Sequence, residues 1–303
     1  MFHLAHLSDP HLGPMPDASF RDLVSKRVIG YVNWHRSRAR SMTASWLDLL
    51  LDDLKAQSPD HVTVTGDLVN IALDVEISAA RHWLDDLGLP DDLTVVPGNH
   101  DAYVPGALRR AVHAWGPYMT GDLPLQDGFP FVRRRGNVAL VGASSARASG
   151  PWFATGRLGS GQSRRLRDHL GRLGEEGAFR VLLIHHPPQS GATSWNKRLT
   201  DASRVRAAVK RAGCELVLHG HTHLATRTEI EGPNGPVPVI GVPSASNGPG
   251  RKRPAARYNL FSISGEPGNW HCEMEERGLP ASAGRDDPAK VEFIARHTLK
   301  IPG

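Results

Sequence analysis

The chain has 303 residues, 40% of them apolar and 22% charged, with a formal charge of +5. That composition buries a core without staples, and the two cysteines, Cys214 and Cys272, exclude a disulfide framework as the organising device. The absence of any run of 18 apolar residues excludes a spanning helix, and the opening MFHLAHLSDPHLG lacks signal-peptide features, so the expected location is cytoplasmic.

The first third alternates strand and helix signals. Phe2 to Leu7 is a short strand-like run that ends at Ser8-Asp9. A basic stretch follows, with Lys26, Arg27, Arg36, Arg38 and Arg40 and no acidic residue between them. It sits inside an expected cap-like insertion at about 17–42. Met42 to Leu54 carries Trp46, Leu47, Leu50 and Leu54 at helical spacing. His61 to Thr65 is a β-branched run ending at Gly66-Asp67. Ile77, Ala80, Leu84 and Leu87 mark a second helix, and Leu93 to Val96 a strand that ends at Pro97-Gly98-Asn99-His100. Two further charge clusters, Arg133 to Arg135 and Arg251 to Arg253, add to the basic excess.

The middle repeats the pattern. Val138 to Val141 is a strand, Leu166, Leu170 and Leu173 a helix, and Phe179 to Ile184 a strand stopping at His185-His186. Val205, Ala208, Val209 and Ala212 mark a helix, and Leu216 to Leu218 a strand stopping at His219-Gly220-His221. Beyond it, Asn234-Gly235 between two β runs predicts a hairpin, and Arg257 to Ile263 and Asn269 to Met274 continue the β character. The whole predicts an α/β fold with parallel strands, extended by antiparallel ones. The catalytic domain is expected over 1–278, followed by a tail over 279–303 with a short helix near Val291 to Arg296.

Five short motifs each follow a strand: Asp9-Pro10-His11, Gly66-Asp67, Gly98-Asn99-His100-Asp101, His185-His186 and Gly220-His221-Thr222-His223. Residues past the carboxyl ends of parallel strands gather at one sheet edge, where ligands bind in such folds. Carboxylate, amide and imidazole without thiolate suit manganese, iron or zinc. Asp9 and His11, and His221 and His223, are two apart, so in extended chain each pair faces one side. With Asp67, Asn99 and one of His185 and His186, there are seven candidate ligands. One zinc takes three or four; seven with one shared carboxylate suit two ions about 3.5–4 Å apart.

These blocks, in this order, resemble the calcineurin-like metallophosphoesterases, whose pattern is D-x-H, G-D, G-N-H-[DE], H and G-H-x-H. The later Gly241-Val242-Pro243-Ser244 and Tyr258-Asn259-Leu260-Phe261 runs look like the closing strands of class III cyclic-nucleotide and glycerophosphodiester phosphodiesterases, so the resemblance covers about residues 2 to 275. It implies a four-layer α-β-β-α sandwich of two mixed sheets flanked by helices. It implies two divalent ions, manganese or iron before zinc: Asp9, His11 and His223 at one, Asn99, His185 and His221 at the other, Asp67 bridging. His185 is preferred to His186 because it takes the first place after its strand. The implied reaction is in-line attack on phosphorus by a hydroxide shared between the ions, with His100 as general acid and Asp101 or Asn70 orienting its ring.

The implied substrate is a small phosphate ester, with a 3′,5′-cyclic nucleotide as the first expectation. A phosphomonoesterase, a lipid-linked pyrophosphatase, a nuclease and a non-catalytic scaffold use the same core. Nucleic acid is disfavoured, since +5 is modest and no DNA-binding module is added. The segment 26–40 admits three readings: a cap that stacks a base on Tyr31 or Trp34 and contacts an anionic substrate through Arg36, Arg38 or Arg40, a patch on an anionic membrane surface, or a solvated helix whose Tyr and Trp pack on the core. A homodimer is a further candidate assembly. His6, His61 and His219 are expected to be structural, with satisfied hydrogen bonds.

Overall fold

Consecutive residues of a strand point to opposite faces, and here both faces are apolar along several runs. The computed structural model describes residues 1–35, 44–122, 128–250, 253–280 and 290–303. One sheet comprises β1 (Phe2–Leu7), β2 (His61–Val64), β3 (Leu93–Val95), β10 (Arg257–Glu266), β11 (Asn269–Gly278) and β12 (Glu292–Leu299), in the order β12-β11-β10-β1-β2-β3. The other comprises β4 (Phe131–Arg135), β5 (Val138–Ala143), β6 (Phe179–Ile184), β7 (Leu216–His219), β8 (Thr226–Gly232) and β9 (Gly235–Gly241), in the order β4-β5-β6-β7-β9-β8. Strands β1, β2 and β3 run parallel, as do β5, β6, β7 and β9; the outer strands are antiparallel.

Alternation in the second sheet shows why it is covered twice. Leu140, Val181, Leu183, Leu216, Leu218 and Ile240 join the core shared with the first sheet. Their neighbours Val141, Leu182, Ile184, Val217 and Val239 join a separate core with Leu166, Leu170 and Leu173 of α6 (Ser160–Glu175) and Val205, Ala208 and Val209 of α7 (Ala202–Ala212). On the first sheet's side lie α3 (Ala44–Ala56), α4 (Asp74–Leu87) and α5 (Ala107–Trp115). Their apolar stripes, such as Leu47, Leu50, Leu51 and Leu54, are buried in the shared core. Each fully buried leucine there contributes about 1.5–3 kcal/mol. The result is two mixed sheets flanked by helices, as the sequence predicted. Between β1 and α3 the insertion forms α1 (Phe20–Leu23) and α2 (Arg27–Asn33).

One expectation changes, and charged residues elsewhere find partners within the fold. The helix near Val291 is instead strand β12, because the free edge of β11 offers a full hydrogen-bond ladder to a segment containing Phe293, Ile294 and Thr298. The basic cluster at Arg133 to Arg135 is engaged within the protein. Arg133 is 4% exposed, and its guanidinium donates to the carbonyls of Thr120, Leu93, Pro90 and Pro117. Arg135 is taken up by Asp91 and Asp122, and Arg134 by Glu176. Asp53 of α3 pairs through both carboxylate oxygens with Arg277 and accepts from Tyr258, tying α3 to the first sheet. Among the described residues no helix is long and apolar enough to cross a membrane.

Candidate metal centre

The parallel strands of both sheets end on the same side. β1, β2 and β3 deliver Asp9 and His11, Asp67, and Asn99 and His100; β6 and β7 deliver His185, His221 and His223. An isolated bridge between Ser8 and Ser244 joins the sheet edges there, and Ser244 Oγ donates to the Asp9 carbonyl at 2.6 Å. All seven predicted ligands come together. The pairs two apart do so by a different route from the one expected. Asp9, His11, Asp67, His221 and His223 have φ of 52°, 41°, 57°, 67° and 55°, so the chain is left-handed, not extended, at five of the seven ligands. Such backbone costs roughly 1–3 kcal/mol per residue and concentrates at functional sites.

Close main-chain packing holds these turns. Asp9 and His11 donate their N–H groups to Gly66 and Asp67 carbonyls, continuing the ladder of β1 and β2 past the strand ends. A Cβ on Gly98 would collide with the Asp67 carboxylate, and one on Gly220 with Ser8 and Asp9, so both positions require glycine.

Two buried carboxylates cradle the loop after Asp67. Asp101 accepts from the N–H groups of Asp67, Leu68, Val69 and Gly98 at 2.7–3.2 Å. Glu76, in the first turn of α4, accepts from Asn70, Ile71 and Leu73. Burial and the Asp67 charge push Asp101 up to about 7, against the pull of its N–H donors. Burial also raises Glu76. Asp101 therefore shapes the site through backbone and does not orient His100. That contact comes from the Asn70 carbonyl, 2.5 Å from His100 Nδ1, so it is independent of the amide side chain at position 70. Glu76 was missed; its only sequence signal is its place three residues into a helix, where a glutamate caps free N–H groups.

Tautomers reveal what the centre accepts. A carbonyl only accepts, so His185 Nδ1 donates to Thr65 O at 2.6 Å, and in the neutral ring Nε2 is left with the lone pair. That lone pair faces Asp67 Oδ2 and Asn99 Oδ1, each at 3.3 Å. Three electron-rich atoms facing one another call for a cation between them. The same Asp67 Oδ2 lies 3.9 Å from His11 Nε2, whose Nδ1 donates to Val69 O. Asp9 Oδ1 lies 4.0 Å from His11 Nε2 and 3.0 Å from His223 Nε2. Ligand atoms of Asp9, His11 and His223, of Asp9, Asp67 and His185, and of His185, His186 and His221 lie mutually within 4.8 Å. The donor set thus fits divalent cations, with Asp67 between two clusters. Burial works against charging His185, but the Asp67 carboxylate outweighs it and raises the imidazole to about 9, so Nε2 holds either a proton or a cation against Asp67. Against burial, His223 lowers Asp9 and His185 lowers Asp67.

His186 differs from its neighbour. Its Nδ1 meets Ser145 Oγ at 2.7 Å and its Nε2 meets Ala154 O at 3.1 Å, so both ring nitrogens are already engaged. His6, His61 and His219 are buried, and burial lowers them to about 3, 3 and 4; Thr65, Thr94 and Thr226 hydroxyls meet their rings.

The insertion lies beside this centre. Tyr103 stacks on His100 with ring centroids 5.3 Å apart, and Lys26 Nζ sits 4.7 Å from the Tyr103 centroid. Lys26 donates to Ser149 Oγ and Phe153 O, and Arg27 to the carbonyls of Ile71 and Ala72. Tyr103 and Lys26 were not foreseen as site residues, because only the fold places them there. Trp34 is 8% exposed and belongs to the core, so it offers no face to a ligand; Tyr31 is partly exposed and packs on the ring of His35. Arg36, Arg38 and Arg40 lie outside the described residues.

Comparison with known proteins gives a consistent family. The calcineurin-like phosphoesterase family matches residues 2–225. A probable cyclic nucleotide phosphodiesterase of Synechococcus sp. is 27% identical over 225 residues, 73% of each chain. Among solved structures, a dimetal phosphatase from Danio rerio is similar at a TM-score of 0.63 with 13% identity, covering 97% of this chain and 98% of that one. A purple acid phosphatase from yellow lupin is similar at 0.54 with 14% identity, covering 96% and 53%. At these identities the two structures bear on the fold.

Proposed function

This chain belongs to the calcineurin-like phosphoesterase family, a family of phosphoric ester hydrolases, and from that premise we propose that it is a two-metal phosphodiesterase acting on 3′,5′-cyclic nucleotides. The observation that carries the two-metal part is the single oxygen Asp67 Oδ2, shared between the lone pairs of His11 and His185. Asp9, His11 and His223 would hold one ion, Asn99, His185 and His221 the other, and Asp67 both; His186 is left out because its ring is fully engaged. Manganese or iron suits this oxygen and nitrogen set best, then zinc. When bound, the ions supply a nucleophile at neutral pH and neutralise the phosphoryl oxygens.

The chain's own residues do the rest. His100 keeps its Nδ1–H on the Asn70 carbonyl, which turns Nε2 toward the centre, where ligand atoms of His100, His11 and Asp67 lie within 4.8 Å of one another. Protonated there, His100 donates to the leaving oxygen as the phosphorus–oxygen bond breaks. Its main-chain N–H donates to Asp67 Oδ1 at 2.7 Å, which fixes ligand and acid relative to each other. The cyclic-nucleotide specificity is supported by the printed activity of the Synechococcus relative. Peripheral membrane contact finds less support, since Lys26 and Arg27 are turned inward onto the protein.

The test is hydrolysis by metal-stripped protein resupplied with manganese, using bis(p-nitrophenyl) phosphate beside p-nitrophenyl phosphate, and then cyclic AMP. Cleavage of the diester that requires metal and is lost in Asn99→Ala is the expected result. Cleavage of the monoester alone would remove the diesterase reading and keep the phosphoesterase.

A further inference from the structure

Two tryptophans stand in the open at turn tips fastened to the metal centre. Trp152 is 73% exposed and Trp195 67%. Trp152 occupies the third position of a turn closed by Phe153 N–H to Gly150 O at 3.1 Å, after Pro151, with φ of 69°. Proline followed by positive φ is the type II arrangement, in which glycine is the ordinary third residue. An indole there strains the backbone and gains no burial, so nothing in the fold itself explains it. Trp195 is the second residue of a turn closed by Lys197 N–H to Ser194 O at 2.9 Å.

The two turns are pinned to each other and to the site. Ala154 N–H donates to Asn196 O at 2.9 Å, Asn196 Nδ2 to Trp152 O at 3.1 Å, and the Phe153 and Trp195 rings meet edge to face at 5.3 Å. His221 Nε2 donates to Lys197 O at 2.7 Å and His186 Nε2 meets Ala154 O at 3.1 Å, so one turn is held by a histidine of the centre and the other by the histidine next to His185. Lys26 anchors the first turn from the insertion through Ser149 and Phe153. Trp195 also borders a cleft of ≈ 540 Å³ lined by Gln189, Thr193, Ser203 and Arg206, which offers room and hydrogen-bonding groups.

We propose that Trp152 and Trp195 form the platform that stacks the nucleobase of a substrate whose phosphate lies at the metal centre. This rests on the cyclic-nucleotide reading above and moves base recognition from Tyr31 and Trp34, where the sequence suggested it, to loops of the second sheet. Flat π-faces match a base better than acyl chains. The indoles stand singly among exposed Ser194, Lys197 and Arg198, not in a continuous aliphatic patch.

The experiment is calorimetric titration of the manganese-loaded protein with AMP, in the wild type and in Trp152→Ala/Trp195→Ala. KM is measured in parallel for cyclic AMP and for glycerophosphoethanolamine, a diester without a base. The double variant should bind AMP roughly 10-fold more weakly and raise KM for cyclic AMP alone, with kcat on the base-free diester unchanged. Trp152→Gly should weaken AMP in the same way without lowering the melting temperature, since glycine relieves the strained φ. No AMP binding by the wild type, equal AMP affinity in the double variant, equal KM effects on both diesters, or a fall in melting temperature for Trp152→Gly would each overturn the platform. Turnover of the base-free diester but not cyclic AMP would remove the substrate reading, while the AMP titration still decides the platform.

Discussion

The two sheet edges that meet at the centre contribute different chemistry. The first sheet supplies all the oxygens, Asp9, Asp67 and Asn99, together with the His11 imidazole, and the second supplies only imidazoles, His185, His221 and His223. The oxygen side is rigid through backbone: Asp101 and Glu76 between them accept seven main-chain N–H groups around the loop that carries Asp67. The histidine side is held partly through tautomers: carbonyls fix the rings of His185 and His221, and His223 Nε2 meets Asp9 Oδ1 at 3.0 Å. His185 takes its carbonyl from Thr65, on the other sheet. Neither edge alone presents a complete set of donors. The site is a property of the interface between sheets, which explains why its ligands span more than two hundred residues of chain.

The sharpest way to break this interface is Asp67→Asn. Losing the shared carboxylate should reduce bound manganese to at most one ion per chain and lower diester hydrolysis at least about 100-fold, measured by metal analysis and initial rates. The neighbouring histidines sharpen the comparison. His185→Asn should lose one ion and about 100-fold in rate. His186→Asn should keep both ions, and lose about 2 kcal/mol of stability for its two buried hydrogen bonds. Equal metal loss in both would mean that the tautomer argument is wrong. On the oxygen side, Asp101→Asn turns amide hydrogens toward N–H donors and should cost about 3 kcal/mol in urea unfolding.

The smallest effect isolates fold from site. His61 opens β2, at the end opposite Asp67, and burial lowers its pKa from 6.5 to about 3. The unfolded chain therefore takes the proton first. The contribution is full above about pH 6.5 and is lost as pH falls toward 3; at pH 5 it is smaller by about 2 kcal/mol than at pH 7. Urea unfolding at the two pH values checks this, with His61→Gln as the reference in which that slope flattens.

The layered fold and the convergence of the candidate ligands were legible because those residues sit one or two residues past short apolar strands, a position the sequence marks directly. What stayed hidden was backbone and docking. The i and i+2 pairing of Asp9 with His11 suggested extended chain, yet both residues are left-handed, a state that only tertiary packing against Gly66 and Asp67 enforces. Asp101 looked like a partner of its neighbour His100 and proved to be a partner of main-chain N–H groups from another strand. The segment after Val291 had no pattern strong enough to name a strand; the open edge of β11 decided it. Arg133 read only as part of a basic cluster, because its acceptors are carbonyls, which leave no trace in side-chain sequence.

The most direct test of the central claim is the number of manganese ions bound by the metal-stripped wild-type chain, counted by titration calorimetry and confirmed by elemental analysis. A centre shared between the sheets predicts two ions per chain, with diester hydrolysis rising as the second is filled. Saturation at one ion, with full activity, would contradict it.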